Sequence, residues 1–409
     1  MLALRLARGA RPLVQLRRLL VAAASAGTGF LLLCTLGYAM GHPDASGGAL
    51  LRLAWCVAPI AATVYFAVTV ARTDPATKPR SGLSAVGLGP AKLSVLAAIS
   101  TAVACTLGSM VALLVFLHLR GDLTGLPFDG AASELLAADQ PLPVAAALTL
   151  LAVVPLTATA AGAAVLRPRT TKPAKPAETA ESAKSARSAK PDGEQEEPAR
   201  WYTPAAPGSP PSGLPWGIAL LAAGLAVEAY ASRSAGTSGL RLPGGLAGSP
   251  AGVLAGWTLT AVGLVLAGPG LTYLCGRVLQ AARPGAMRLL AGRGLQEEAR
   301  RIGRPLGVLC AVGSGAYAAL TLYAGDRPAI GPLTTLGALL VAGCAVLTLV
   351  TVTIEAKHAR ADTTSALLQL GAPTAMLRGT AALRAGTLAV VIGPLTWVVA
   401  ELAALPLAK

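Results

Sequence analysis

Nine apolar runs govern what this chain can become: 19–40, 53–71, 93–117, 142–166, 214–231, 251–275, 305–324, 333–354 and 385–405. Each is close to the ~20 residues that cross the hydrocarbon core of a bilayer as a helix. Inside that core no water satisfies a peptide group, so such a run must bond to itself. The expected fold is all-α: a polytopic membrane helix bundle of about nine transmembrane helices. Composition agrees, since 54% of the 409 residues are hydrophobic and 13% are charged, too apolar for a soluble globular domain. The fifth run is the shortest and carries Glu228. The first is too long for a cleavable signal, and no cleavage site precedes His42-Pro43, so it reads as a retained span.

Charge supplies the orientation. With the N-terminus inside and nine crossings, 28 of the 34 Lys and Arg residues fall on the cytoplasmic side, which is the asymmetry of a protein in a cell membrane. The exceptions are Arg52, Arg120, Arg233, Arg241, Arg327 and Lys409. The same asymmetry accounts for the net charge of +15, and with 4% aromatic residues it leaves no case for a nucleic-acid partner. External loops at 41–52, 119–141, 232–250 and 325–332 are too short to fold alone.

Polar chemistry within the runs is sparse. Cys34, Cys56, Cys105, Cys275, Cys310 and Cys344 lie in or beside apolar segments without a CxxC, and His42, His118 and His358 are far apart. They read as buried small hydrophobes and isolated imidazoles, with no metal or cofactor implied. Glu228 and Glu401 sit toward outer ends of spans and Arg384 toward an inner end, where snorkelling accommodates a charge. Pro59, Pro155 and Pro394 are expected to kink their helices. No Gly-Lys pair occurs, so the chain has no phosphate-binding loop and hydrolyses no ATP itself. No catalytic grouping appears in the spans, and the chain does not read as an enzyme. Residues 167–213, rich in Pro, Lys, Ala, Ser and Glu, have little to bury and read as a disordered cytoplasmic linker.

The most informative feature is a repeat. The segment 71-ARTDPATKPRSGLSAVGLGPAKL-93 follows the second run and 359-ARADTTSALLQLGAPTAML-377 follows the eighth. Each runs Ala-Arg-x-Asp, then an apolar patch, Leu-Gly, a nearby proline and a new helix. Basic, Leu-containing segments stand before the first and seventh runs, at 4–18 and 287–305. The halves share one membrane orientation, so the repeat is parallel. The organisation is 1–118 (first repeat: cytoplasmic amphipathic helix and three spans), 119–166 (external loop and fourth span), 167–213 (linker), 214–286 (two connecting spans) and 287–409 (second repeat). Asp362 or Thr363 is expected to cap a short helix ending at Leu370. Gly371 then supplies a left-handed stop, Pro373 blocks continuation, and Thr374 opens the next helix.

These residues resemble the FtsX-like permease family, the membrane subunits of MacB- and Lol-type ABC systems. The family has a charged patch after a span and then a Leu-Gly-Ala turn into the next helix. Glu355, Lys357, Arg360, Leu370, Gly371, Ala372, Pro373 and Leu377 match that pattern, and Arg72, Leu88, Gly89, Pro90 and Leu93 match it more loosely. The two intervening spans resemble ten-span members, though a tenth span and the large external domains of many members are not found in this sequence. The resemblance implies cytoplasmic coupling helices, with Leu367 among their apolar residues, docked on two copies of a separate ABC ATPase. It also implies export or extraction of an amphipathic peptide, antibiotic or lipid. Alternatives from the residues themselves are an ion-coupled secondary transporter, or a membrane scaffold or sensor that moves nothing.

Overall fold

A computed structural model describes residues 12–74, 90–123, 130–134, 136–167, 211–233, 251–281, 285–322 and 331–404. Among them all regular secondary structure is helical. The helices are α1 (Pro12–Gly41), α2 (Ser46–Trp55), α3 (Val57–Thr73), α4 (Pro90–Arg120), α5 (Val144–Leu166) and α6 (Leu214–Arg233). They continue as α7 (Ala251–Ala281), α8 (Ala286–Leu322), α9 (Pro332–Ala359), α10 (Ala361–Gln369) and α11 (Thr374–Ala404). Eight helical stretches among the described residues are long and apolar enough to cross a membrane. This is a multi-pass helical membrane protein.

Two predicted boundaries change. The expected loop at 41–52 is mostly α2, which runs almost directly into α3, so the second membrane stretch begins at Ser46. The break falls at Cys56 because Pro59 has no N–H to give the carbonyl of Trp55 and its ring crowds that carbonyl. The amphipathic segment 287–305 and the run 305–324 are one 37-residue helix, α8, which continues through Pro305. At 1.5 Å per residue it is ~55 Å long, and its charged first half extends beyond any apolar layer. It is not among the eight stretches found among the described residues. Its apolar half nonetheless packs inside the bundle, where Cys310 meets Leu264 of α7 and Val399 of α11. Pro155, Pro269 and Pro394 also lie within continuous helices.

The helices form two groups. In the first, α1, α3, α4 and α5 pack around Val21, Phe66, Val70, Cys105 and Ala158, and α9 joins them through Cys344. Toward the other end the same group closes over Leu33, Phe116, Leu151 and the loop residue Leu136. In the second group α7 lies between α6 and α8, and α11 lies against α8. The six cysteines are buried and unpaired.

The first and third spans of each expected half lie together, α1 on α4 and α8 on α11, while the two second spans, α3 and α9, meet each other across the middle. At that seam Thr28 and Thr63 share a buried 2.8 Å hydrogen bond, with Cys344 Sγ 4.0 Å from Thr63 Oγ1. Buried hydroxyls that find partners on neighbouring helices hold apolar bundles together. Glycines do the same by absence: a Cβ on Gly108 would strike the Ala22 carbonyl of α1, and one on Gly268 the Gly303 carbonyl of α8.

Candidate docking site

The second Leu-Gly connection lies wholly within the described residues. Helix α9 ends at Ala359, Arg360 turns the chain, and the nine-residue α10 follows. The predicted cap differs. Arg360 occupies the N-cap position with no side-chain cap hydrogen bond, while Thr363 is inside the helix and its hydroxyl donates to the Arg360 carbonyl at 2.9 Å. The start is set by the continuing helical path out of α9, and no Ser/Thr/Asp cap is needed.

The C-terminal stop is as expected. Gly371 has φ +84°, a conformation costly to any residue with a Cβ. Its N–H donates to the Leu368 carbonyl and that of Ala372 to the Leu367 carbonyl, both at 3.0 Å. These two bonds form the Schellman closure of a helix. Pro373 follows, its carbonyl accepts from Met376 N–H at 3.0 Å, and α11 begins at Thr374. The turn holds Leu370 out: its side chain is 84% exposed. Leu368 and Pro373 are also exposed, whereas Leu367, Met376 and Leu377 are partly buried.

Arg360 has a different place from the leucines. It forms an ion pair with Glu298 of α8, whose side chain is nearly buried. Partial burial, then neighbouring Arg384, bring its proton affinity down to about 10, with Glu297 opposing; at neutral pH it stays charged. Arg384 of α11 donates to the Leu290 carbonyl of α8 at 3.0 Å, and its guanidinium fills the space a Cβ on Gly294 would take. Glu298, Gly294 and Arg384 thus clamp both ends of the connection onto the charged half of α8. Sequence reasoning missed the first of these. A signal existed: Glu297 and Glu298 are the two acids in an otherwise basic segment, 276–304.

In the first half, Arg72 ends α3 with an exposed side chain. Leu88 and Gly89 lie outside the described residues; Pro90 opens α4 and Leu93 lies in its first turn. The Ala-Arg-x-Asp motif does have a visible role there. Asp74, buried, accepts from Arg18 of α1 at 2.7 Å. Both halves therefore tie the end of their second span to the helix that leads into their first, with the charges exchanged: acid on α3 and base on α1, base after α9 and acid on α8.

Two further features lie elsewhere. An open apolar groove of about 660 Å³ runs between α4 and α5, lined by Val95, Ile99, Val103, Leu107 and Ala163, with Arg167 at one end. Glu228, expected to snorkel, does not. It is fully buried between α6 and α7, and Trp257 Nε1 donates to its Oε1 at 2.7 Å. Glu401 accepts from Tyr317 Oη at 2.6 Å.

The fold and these contacts define a class, a polytopic helical membrane protein with a short helix, α10, between two of its spans. Comparison with family models, with curated proteins and with solved structures finds no match to this chain.

Proposed function

We propose that this chain is the membrane-spanning permease subunit of an ABC transporter of the FtsX/MacB type, worked by an ATPase on a separate chain. The observation that carries the reading is Leu370, presented on the exposed tip of α10 by a closed helix stop and a positive-φ glycine. A leucine so exposed gains by burial against a partner, roughly 1.5–3 kcal/mol for the whole side chain. The position suits coupling. The Arg360–Glu298 pair and the Arg384 contact join α10 to α8, so a push on α10 moves a 37-residue helix that runs into the bundle. The segment 75–90 is the counterpart in the other half, and the two would receive two ATPase copies on the cytoplasmic side. Positive charge at these ends favours that orientation with the N-terminus inside.

The groove between α4 and α5 suits the proposed amphipathic cargo, with apolar walls for a chain and Arg167 for an anionic head. Only a partner that binds one arrangement of the halves better than another can drive transport, and the α3–α9 seam is the surface on which two arrangements would differ. Co-purification with a candidate ABC ATPase from the same organism tests the reading. The complex is expected to survive detergent extraction for the unmodified protein and to be lost in the Leu88→Asp, Leu370→Asp double variant. An undiminished complex in that variant overturns the coupling role.

A further inference from the structure

Helices α6 and α7 cross unusually closely. Gly224 faces Thr260 and the Gly256 carbonyl, and Gly256 faces Cβ of Glu228 and the Gly224 carbonyl. Glycines at both points let the backbones touch, which brings Glu228 and Thr260 to successive levels of one crossing, about one helical turn apart. Glu228 is completely buried and Thr260 is 5% exposed. Glu228 Oε1 is satisfied by Trp257, but Oε2 has no hydrogen-bond partner among the described residues, and neither has Thr260 Oγ1. No cation among the described residues pairs with Glu228.

A bare carboxylate with one donor in such surroundings is costly, and the cost is removed if the group is neutral. A metal ion is a poor way to achieve this. Oε1 is committed to an N–H donor, which repels a cation, and the remaining Oε2 and Oγ1 fall far short of the six or more oxygens a hard cation gathers. A proton fits. Carried on Oε2, it removes the buried charge that a single donor on Oε1 leaves uncompensated. The helix end is near: Glu228 lies five residues before the end of α6 at Arg233, ~8 Å along the axis.

From this geometry we propose that Glu228 is a reversible proton-binding site within the membrane bundle, filled from the Arg233 end of α6, with Trp257 holding the carboxyl. Binding is simple association, carboxylate plus a solvent proton giving a neutral carboxyl. Among the residues whose side chains are described, the other titratable groups on the packed elements stand apart. Tyr230 of α6 points outward, 76% exposed. Tyr273, Cys275 and Arg277 of α7 are thirteen or more residues beyond Thr260, at least ~20 Å along the helix. On α11, Glu401 is engaged with Tyr317 of α8, and Arg378 and Arg384 are at the far end. The site owes nothing to the docking surface and is tested without an ATPase.

The experiment is infrared spectroscopy of the purified full chain in lipid nanodiscs, stepped between about pH 5 and about pH 9. Expected is a protonated-carboxyl stretch that disappears reversibly as pH rises and is missing from Glu228→Gln, an isosteric neutral side chain that keeps an acceptor for Trp257. In Trp257→Phe the band should persist at a shifted frequency, which identifies the carboxyl even if the glutamine variant folds poorly. Three results each overturn the proposal: no such band in the unmodified protein, a band unchanged across the whole range, or a titrating band unaltered in both variants. The first makes Glu228 a permanent carboxylate and the second a fixed structural acid.

Discussion

Arg360 illustrates how a structural contact adds to what a motif suggests. The resemblance placed it among the residues that couple to an ATPase, and its guanidinium pairs with Glu298, sixty-two positions earlier in the chain. The pair is neither fully exposed nor fully buried. Its worth should fall between the ~0–1 kcal/mol of surface pairs and the ~3–5 kcal/mol lost on breaking buried ones. A double-mutant cycle with Arg360→Ala and Glu298→Ala should return a coupling of about 1–2 kcal/mol in thermal or denaturant unfolding of the solubilised protein. Additive effects would show that the two side chains do not act as a pair. Gly371 was legible because a left-handed helix stop leaves a local signature, Leu-Gly-x-Pro. Glu298 was not, because a long-range ion partner leaves none beyond its sign.

At the scale of elements, hydropathy located eight membrane stretches because each must satisfy its own backbone within one apolar layer. It failed where a helix crosses that layer's boundary: α8 is half charged and half apolar, and Pro305 at the join invited a false division. It also misjudged Glu228. A carboxylate near the end of a short span reads as snorkelling, and only the facing helix, with Trp257, Thr260 and the matched Gly224 and Gly256, shows that it is enclosed. Small residues at helical spacing on both α6 and α7 were the available clue. The same close packing predicts where substitution is felt. Gly268→Val pushes a side chain into the Gly303 carbonyl of α8 and should cost about 1–3 kcal/mol or more. Gly343→Val, with no atom within 4 Å, should be nearly neutral. Thermal aggregation followed by size-exclusion chromatography distinguishes them; equal midpoints would contradict the α7–α8 contact.

For the molecule as a whole, the helices on either side of the expected repeat pack α1 with α4 and α8 with α11, and α3 meets α9. The ion pairs extend this packing, since Arg18–Asp74 and Glu298–Arg360 join corresponding elements of the expected halves with reversed polarity. Composition and spacing showed the order of these parts, but which helices touch depends on side-chain fit that one sequence does not disclose. The functional account rests on the surface this arrangement exposes. Its most direct test is a photo-crosslinking side chain placed at position 370, and separately at position 339, in the chain co-expressed with a candidate ABC ATPase. Leu370 is 84% exposed at the tip of α10, and Leu339 is 70% exposed on the apolar side of α9. The account predicts an ATPase adduct from position 370 and none from position 339. Absence of an adduct at 370, or equal adducts at both positions, would contradict it.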